Sequence, residues 1–119
     1  MVAVSCNVEN QKEPLNGSLS PAEFKQKLST NVVLLDVRTP GEYSSGFIEG
    51  AVNLDFKSAD FSQRLDSLDK ARTYLLYCAA GARSDKAAAM MREKGFRAVS
   101  HLEGGLDAWS EEGGPVQRP

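Results

Sequence analysis

Short continuous runs of apolar residues alternate along the chain with segments whose apolar residues are spaced three or four apart. Two continuous runs predict buried strands, VVLLDV from Val32 and TYLLY from Thr73. Two further segments, VNL from Val52 and RAVSHL from Arg97, are strand candidates. Helical spacing characterises the segments between them, and strands that alternate with helices form βαβ units. The pattern therefore predicts an α/β domain with a mostly parallel sheet and helices on both faces.

Helix-start signals support this alternation. Ser20, Pro21 and Glu23 form a capping-box pattern ahead of an apolar pair spaced four apart. The segment SDKAAAMMREKG combines strong helix formers with a glycine stop. Shorter helices are expected in SADFSQRLDSLDKA, with Ser58 or Asp60 as its cap, and in GLDAWSEEGG. The interrupted segment RTPGEYSSGF allows at most a short helix.

Composition limits the classes of protein to be considered. The chain has 119 residues, enough for one core, with a formal net charge of -2 and no long apolar run. Broad electrostatic binding of nucleic acid and insertion into a membrane are therefore not expected. We predict a flexible arm over residues 1–16, followed by a single domain over residues 17–119 that acts as a monomer. The opening residues lack a secretory pattern, which favours a cytoplasmic location.

Cysteine and histidine are scarce. The two cysteines, Cys6 and Cys78, are too few for a disulfide-stapled secreted domain. With His101 as the single histidine, the chain offers no spaced ligand set for zinc. We therefore predict two free thiols and no zinc site. Cys6 lies in the polar opening segment, where nothing local indicates a role.

The segment around Cys78 has the features of a reactive site. Cys78 ends a predicted strand and precedes a predicted helix, so the free N–H groups and dipole of that helix favour a thiolate. Small residues let the intervening backbone curl and point its N–H groups inward as an anion-binding nest. An exposed Cys78 is the expected nucleophile. The expected anion-binding loop comprises Ala79, Ala80, Gly81, Ala82, Arg83 and Ser84.

No general base accompanies the cysteine in the sequence pattern. His101 lies in a predicted strand, and a histidine with structural hydrogen bonds is favoured over a Cys–His pair. Asp36 ends another strand, where it either braces the cysteine loop or caps a turn. Arg38 and Glu42 are four residues apart and are expected to pair on a short helix.

Four segments in order resemble the rhodanese family of sulfurtransferases, from about Leu19 to Pro115. LLDVRTPGEYSSGFIEGAVNL is similar to the family's first signature, and YLLYCAAGARS is similar to its active-site strand and loop. AAAMMREKGF resembles the following helix and turn, and LEGGLDAW resembles the closing signature. One departure is Phe47, where relatives commonly have histidine; we expect it to affect only packing at the rim. Trp109 of the closing signature is expected in the core.

The resemblance implies a rhodanese-like α/β fold with a central five-stranded sheet. It also implies a chemistry in which a donor such as thiosulfate or polysulfide passes its outer sulfur to Cys78. The resulting persulfide then gives that sulfur to cyanide or a thiol acceptor, with Asp36 and Arg38 supporting the loop. Inward-facing N–H groups would stabilise the anionic sulfur in both steps, and no cofactor is required.

Three other functions remain open from the residues. A protein-to-protein sulfur carrier would use the same Cys78 persulfide with a protein acceptor. A rhodanese-like binding module would need no thiol, although Cys78 is present. A cysteine phosphatase or arsenate reductase is disfavoured, because related phosphatases carry one more residue between cysteine and arginine. Here only four residues separate Cys78 from Arg83.

Overall fold

The computed structural model describes residues 17–118, which form five strands and five helices in alternation. The strands are β1 (Gly17–Leu19), β2 (Val32–Asp36), β3 (Val52–Asn53), β4 (Thr73–Tyr77) and β5 (Ala98–Leu102). The helices are α1 (Pro21–Lys27), α2 (Pro40–Ser44), α3 (Phe61–Asp66), α4 (Ala82–Glu93) and α5 (Gly105–Glu111). The alternation that the apolar pattern predicted is therefore confirmed.

All five strands belong to one parallel sheet with the order β1-β5-β4-β2-β3. The sheet is wholly rather than mostly parallel. The first strand, β1, has three residues and no buried side chain, which explains why the apolar pattern alone gave only four strands. Its backbone pairs with Ser100 to Leu102 of β5, and that pairing extends the sheet to the five strands implied by the resemblance.

The two faces of the sheet are covered by separate apolar clusters. On β4, Leu75 and Leu76 are both fully buried, yet successive strand residues point to opposite faces. Leu76 packs in a cluster with Leu65 and Met91, whereas Leu75 packs in a cluster with Phe24 and residues of α5. Because both faces are buried, the central strands are continuously apolar rather than alternating.

Helix caps follow the sequence signals with one exception. Ser20 accepts the N–H of Glu23, whose carboxylate accepts the N–H of Ser20, so the predicted capping box is present in α1. Asp60 precedes α3 but makes no side-chain cap; it accepts the Ser58 hydroxyl instead. Asp60 thus occupies the predicted N-cap position of α3, but its side chain does not cap the helix because it binds Ser58. Within residues 17–118, the helices are too short or too polar to cross a bilayer.

Candidate active site

Strands β2 and β4 bring the candidate residues to one edge of the sheet. Asp36, the last residue of β2, pairs with Tyr77, the last residue of β4, so both strands end at the same level. Cys78 follows directly, and α4 begins four residues later at Ala82. Carboxyl ends of adjacent parallel strands are where α/β proteins place their ligands.

The Sγ atom of Cys78 lies inside a curled loop of backbone N–H groups. The N–H of Gly81 donates to Sγ at 3.1 Å and the N–H of Ser84 donates at 3.3 Å. Gly81 has φ +109°, a value that favours glycine and turns the loop back over the cysteine. The Ser84 Oγ lies 3.5 Å from Sγ. The loop therefore forms a cradle suited to an anionic sulfur atom.

This cradle changes the acidity of the thiol. Burial alone raises the pKa of Cys78, since it disfavours the charged thiolate. Hydrogen bonds from the Ser84 hydroxyl and from the N–H groups of Ser84, Gly81 and Ala80 lower the pKa. The hydrogen bonds prevail, and the pKa of Cys78 lies below its ordinary value. The thiolate fraction at neutral pH is correspondingly increased.

The expectation of an exposed thiol is wrong. Cys78 is only 1 % exposed, because its side chain points into the loop and packs in the apolar cluster that contains Leu76. Ala80 and Ala82 of the same loop are exposed, so the outer side of the loop faces solvent. The described cavities lie elsewhere, around Leu28 and Trp109. Burial of Cys78 therefore restricts the approach of a donor to Sγ.

Two ion pairs differ from the expected pairing. Glu42 binds the guanidinium of Arg83 through both carboxylate oxygens, at 2.8 and 3.0 Å. The predicted Arg38–Glu42 pair is therefore wrong, because Arg38 turns towards Asp36 instead. The Arg38 guanidinium donates to both Asp36 oxygens and to the Gly46 carbonyl, and Asp36 also accepts the Arg38 N–H. Asp36 and Arg38 thus fasten the β2–α2 turn, beside the cysteine loop.

The start of α5 holds the cysteine loop from the other side. The N–H groups of Leu106 and Asp107 donate to the carbonyls of Cys78 and Ala79, at 2.8 and 3.0 Å. Gly105 permits this approach, because a Cβ atom there would lie 2.6 Å from the Cys78 carbonyl oxygen. In the sequence, Gly105 stands out only as part of LEGGLDAW, the segment that resembles the closing signature. The structural reason for it is close backbone contact.

His101 is connected to the cysteine through Ser84. The Nδ1 atom of His101 lies 2.9 Å from Ser84 Oγ, and His101 is buried with 7 % exposure. The expectation that His101 has structural hydrogen bonds agrees with this contact, and no direct Cys–His bond is present. Ser84 Oγ also lies 3.2 Å from the Gly81 carbonyl. This connection could not be predicted from the sequence, because Ser84 and His101 lie on separate elements.

The other residues singled out in the sequence have structural surroundings. Trp109 is buried, and its indole N–H donates to the Pro115 carbonyl. Phe47 stacks on Tyr43 with ring centroids 4.5 Å apart, and its backbone pairs with Gln117. These contacts place Phe47 in packing rather than in the loop around Cys78. Cys6 lies outside the described residues. Among the described residues, no group of three metal-ligating side chains occurs.

Comparison with known proteins agrees with this architecture. Residues 20–112 match the family model of the Rhodanese-like domain. A sulfurtransferase of Allochromatium vinosum is 36% identical over 89 residues, which cover 75% of this chain and 81% of that protein. A tRNA uridine(34) hydroxylase of Cytophaga hutchinsonii is 40% identical over 101 residues, which cover 81% of this chain but only 32% of that protein. The chain thus spans about a third of the hydroxylase.

Solved structures give the same result. A rhodanese-related protein from Thermoplasma volcanium superposes with a TM-score of 0.77 at 28% identity, covering 86% of this chain and 98% of that one. A rhodanese-like domain protein from Staphylococcus aureus superposes with a TM-score of 0.73 at 31% identity, covering 87% and 98%. The fold, a parallel sheet with a cysteine loop at its carboxyl edge, is that of a rhodanese. The chain belongs to the Rhodanese-like domain family, a family of sulfurtransferases.

Proposed function

We propose that this protein transfers a sulfane sulfur from thiosulfate to a thiophilic acceptor through a persulfide on Cys78. The observation that carries the proposal is the position of Sγ among backbone donors from Gly81 and Ser84. These donors lower the pKa of Cys78 despite its burial and supply fixed dipoles for a negatively charged sulfur. Membership of a sulfurtransferase family supports the same chemistry.

The reaction proceeds in two displacements. The Cys78 thiolate attacks the outer sulfur of thiosulfate, so an S–S bond to Sγ forms while the S–S bond of thiosulfate breaks. Sulfite leaves with the electron pair. Cyanide, or an acceptor thiolate, then attacks the outer sulfur of the persulfide and regenerates the Cys78 thiolate.

The surroundings of Arg83 favour sulfur transfer over phosphate chemistry. A cysteine phosphatase directs its loop arginine at the bound phosphate. Here two nitrogens of the Arg83 guanidinium donate to the two carboxylate oxygens of Glu42. This hydrogen bonding is the largest cause of the raised pKa of Arg83. The cradle around Cys78 is therefore formed by neutral N–H groups, which suit a small, singly charged sulfur.

Transfer of the same sulfur to a protein thiol is a second candidate. Two relatives, both named probable adenylyltransferase/sulfurtransferase MoeZ of Mycobacterium tuberculosis, are 33% identical over 97 residues, and their name pairs sulfur transfer with adenylyl transfer in one protein. These residues cover only 25% of each relative. In this candidate function the Cys78 persulfide forms as above, and a partner's thiolate replaces cyanide. Monomeric state and a cytoplasmic location remain predictions.

Thiocyanate formation from thiosulfate and cyanide tests the proposal. We expect activity in the unaltered chain and in Cys6→Ser, and none in Cys78→Ser, because a hydroxyl cannot form a persulfide. An active Cys78→Ser protein would overturn the assignment of Cys78. A folded but inactive unaltered chain, tested with thiosulfate, polysulfide and both acceptors, would overturn the proposed activity.

A further inference from the structure

A continuous line of polar groups runs from the reactive cysteine to the surface of the molecule. Cys78 Sγ lies 3.5 Å from Ser84 Oγ, which lies 2.9 Å from Nδ1 of His101. On the other side of the imidazole, Nε2 lies 3.6 Å from a carboxylate oxygen of Asp85. Cys78, Ser84 and His101 are buried, whereas the side chain of Asp85 is 69% exposed.

We propose that His101 is a positioning residue that takes up the proton of Cys78 through the Ser84 hydroxyl. This inference rests on the proposed function of Cys78. The inference concerns where the proton of the Cys78 thiol goes. A backbone N–H group stabilises the thiolate, but it cannot accept that proton.

Before ionisation, the hydrogen bonds along this line are compatible with a neutral Cys78 thiol. The proposal assigns the Nε2–H tautomer to His101, so that Cys78 S–H donates to Ser84 Oγ, Ser84 O–H donates to His101 Nδ1, and Nε2–H faces Asp85. On ionisation, the S–H bond breaks as a new O–H bond forms, and the original O–H bond breaks as an Nδ1–H bond forms. The products are a thiolate, an unchanged serine and an imidazolium. No atom heavier than hydrogen has to move.

The ionised arrangement satisfies every group in the line. The Ser84 hydroxyl then donates to the thiolate and accepts from Nδ1–H, while Nε2–H faces the Asp85 carboxylate. The Gly81 carbonyl, 3.2 Å from Ser84 Oγ, competes for the serine hydrogen only at a longer distance than Nδ1.

Charges around His101 set the balance between the two forms. Burial lowers the pKa of His101, Asp85 raises it, Arg92 lowers it and Glu103 raises it. Arg92 and Asp85 belong to α4, and Glu103 follows β5; the paired residues of β1 and β4, Ser18 and Leu76, carry no charge. The pKa of His101 lies below its ordinary value, so the imidazole is neutral before the transfer. The negative charge of the Cys78 thiolate, which forms in the same step, is what favours the proton on the ring.

The ultraviolet absorption of the Cys78 thiolate, followed against pH, tests the proposal. Cys6→Ser removes the second thiol, and the same protein with Cys78→Ala provides the blank. His101→Asn in this background retains a side chain that bonds to Ser84 but cannot take up a proton. We expect its thiolate to appear about one pH unit higher, a roughly tenfold smaller thiolate fraction on the acid side. Superposed curves would overturn the proposal.

Nuclear magnetic resonance of the imidazole nitrogens provides a second readout without a variant of His101. The chain has one histidine, so its signals are unambiguous. In the lower part of the pH range in which the thiolate is present, before the ring itself loses its proton, we expect both ring nitrogens to carry protons. A neutral ring throughout that range would overturn the proposal, even if His101→Asn fails to fold.

The two proposals fail independently. Superposed thiolate curves with normal persulfide formation would overturn the role of His101 alone. Coupled titration of Cys78 and His101 without sulfur uptake would overturn the proposed function alone.

Discussion

At Cys78, burial and hydrogen bonding act in opposite directions on one atom. The side chain is 1 % exposed, which disfavours a charge, but N–H groups at 3.1 and 3.3 Å and the Ser84 hydroxyl compensate. The pKa is consequently lowered. An anion that is stabilised by fixed dipoles and shielded from water reacts in surroundings that need little reorganisation.

The ionisation of a second single residue, Glu42, gives a testable prediction. Hydrogen bonding to Arg83 lowers the pKa of Glu42 to about 2, against an ordinary value of 4.5, although burial raises it. Because the folded-state pKa is the lower one, this stabilisation is complete above about pH 4.5 and is lost as pH falls through about 2. Glu42→Gln should therefore lower the urea midpoint at neutral pH, and the difference from the unaltered chain should vanish near pH 2.

Glu23 provides the matched control for this measurement. It occupies the same capping-box position in α1, where its carboxylate bonds to the Ser20 N–H and, within residues 17–118, to no arginine. Exposure and salt weaken ion pairs, so the effect of Glu42→Gln should shrink in high salt. A pH-independent loss in Glu42→Gln, equal to that of Glu23→Gln, would contradict the assigned ion pair.

Two short elements, the cysteine loop and the start of α5, are fixed by each other. The loop carbonyls of Cys78 and Ala79 accept the N–H groups of Leu106 and Asp107, so the loop's own N–H groups remain directed at Sγ. Gly105 makes this docking possible because its φ is +62° and it carries no side chain. The geometry of the nucleophile thus depends on a helix that supplies no side chain to it.

Gly105→Ala is the prediction that belongs to this element. A Cβ atom would lie 2.5 Å from the Ala79 carbonyl oxygen, so the loop must shift. We expect loss of thiocyanate formation. Gly113→Ala is the control: φ there is +83°, but nothing lies within 4 Å of the added Cβ. It should cost about 1–2 kcal/mol of unfolding free energy and retain activity. Equal activity in the two variants would refute the docking role.

Features of the fold that neighbouring residues determine could be predicted from the sequence. The strand, the small-residue loop and α4 are consecutive, so their order and the position of Cys78 were predictable. Contacts between distant positions were not: Arg83 and Glu42 are 41 residues apart, and Ser84 and His101 are 17 apart. The spacing of four residues predicts a pair between Arg38 and Glu42, but the buried Arg38 guanidinium pairs with the buried Asp36 carboxylate instead. The exposure of Cys78 likewise depends on tertiary packing.

On the scale of the whole molecule, a single sheet separates two apolar clusters and positions the site at its edge. β4 lies at the centre of the sheet, between β5 and β2, and contributes fully buried residues to both clusters. Since each cluster needs the same strand, neither can be lost without the other. We therefore expect the described domain to unfold in one cooperative transition.

Leu75→Ala and Leu76→Ala test this cooperativity from the two faces. Each leucine is 0% exposed, so each truncation should cost about 2–5 kcal/mol of unfolding free energy. Trp109 fluorescence reports on the Leu75 cluster, whereas far-ultraviolet circular dichroism reports on the whole sheet. The two signals should share one midpoint in both variants. A fluorescence midpoint that moves only with Leu75→Ala would show that the clusters unfold separately.

Mass spectrometry of the intact protein and its peptides after exposure to thiosulfate tests the central claim most directly. The account predicts a gain of one sulfur atom on the peptide that contains Cys78, its removal by cyanide, and no gain in folded Cys78→Ser. Sulfur found on Cys6 alone, or a folded chain that leaves Cys78 unmodified, would contradict it.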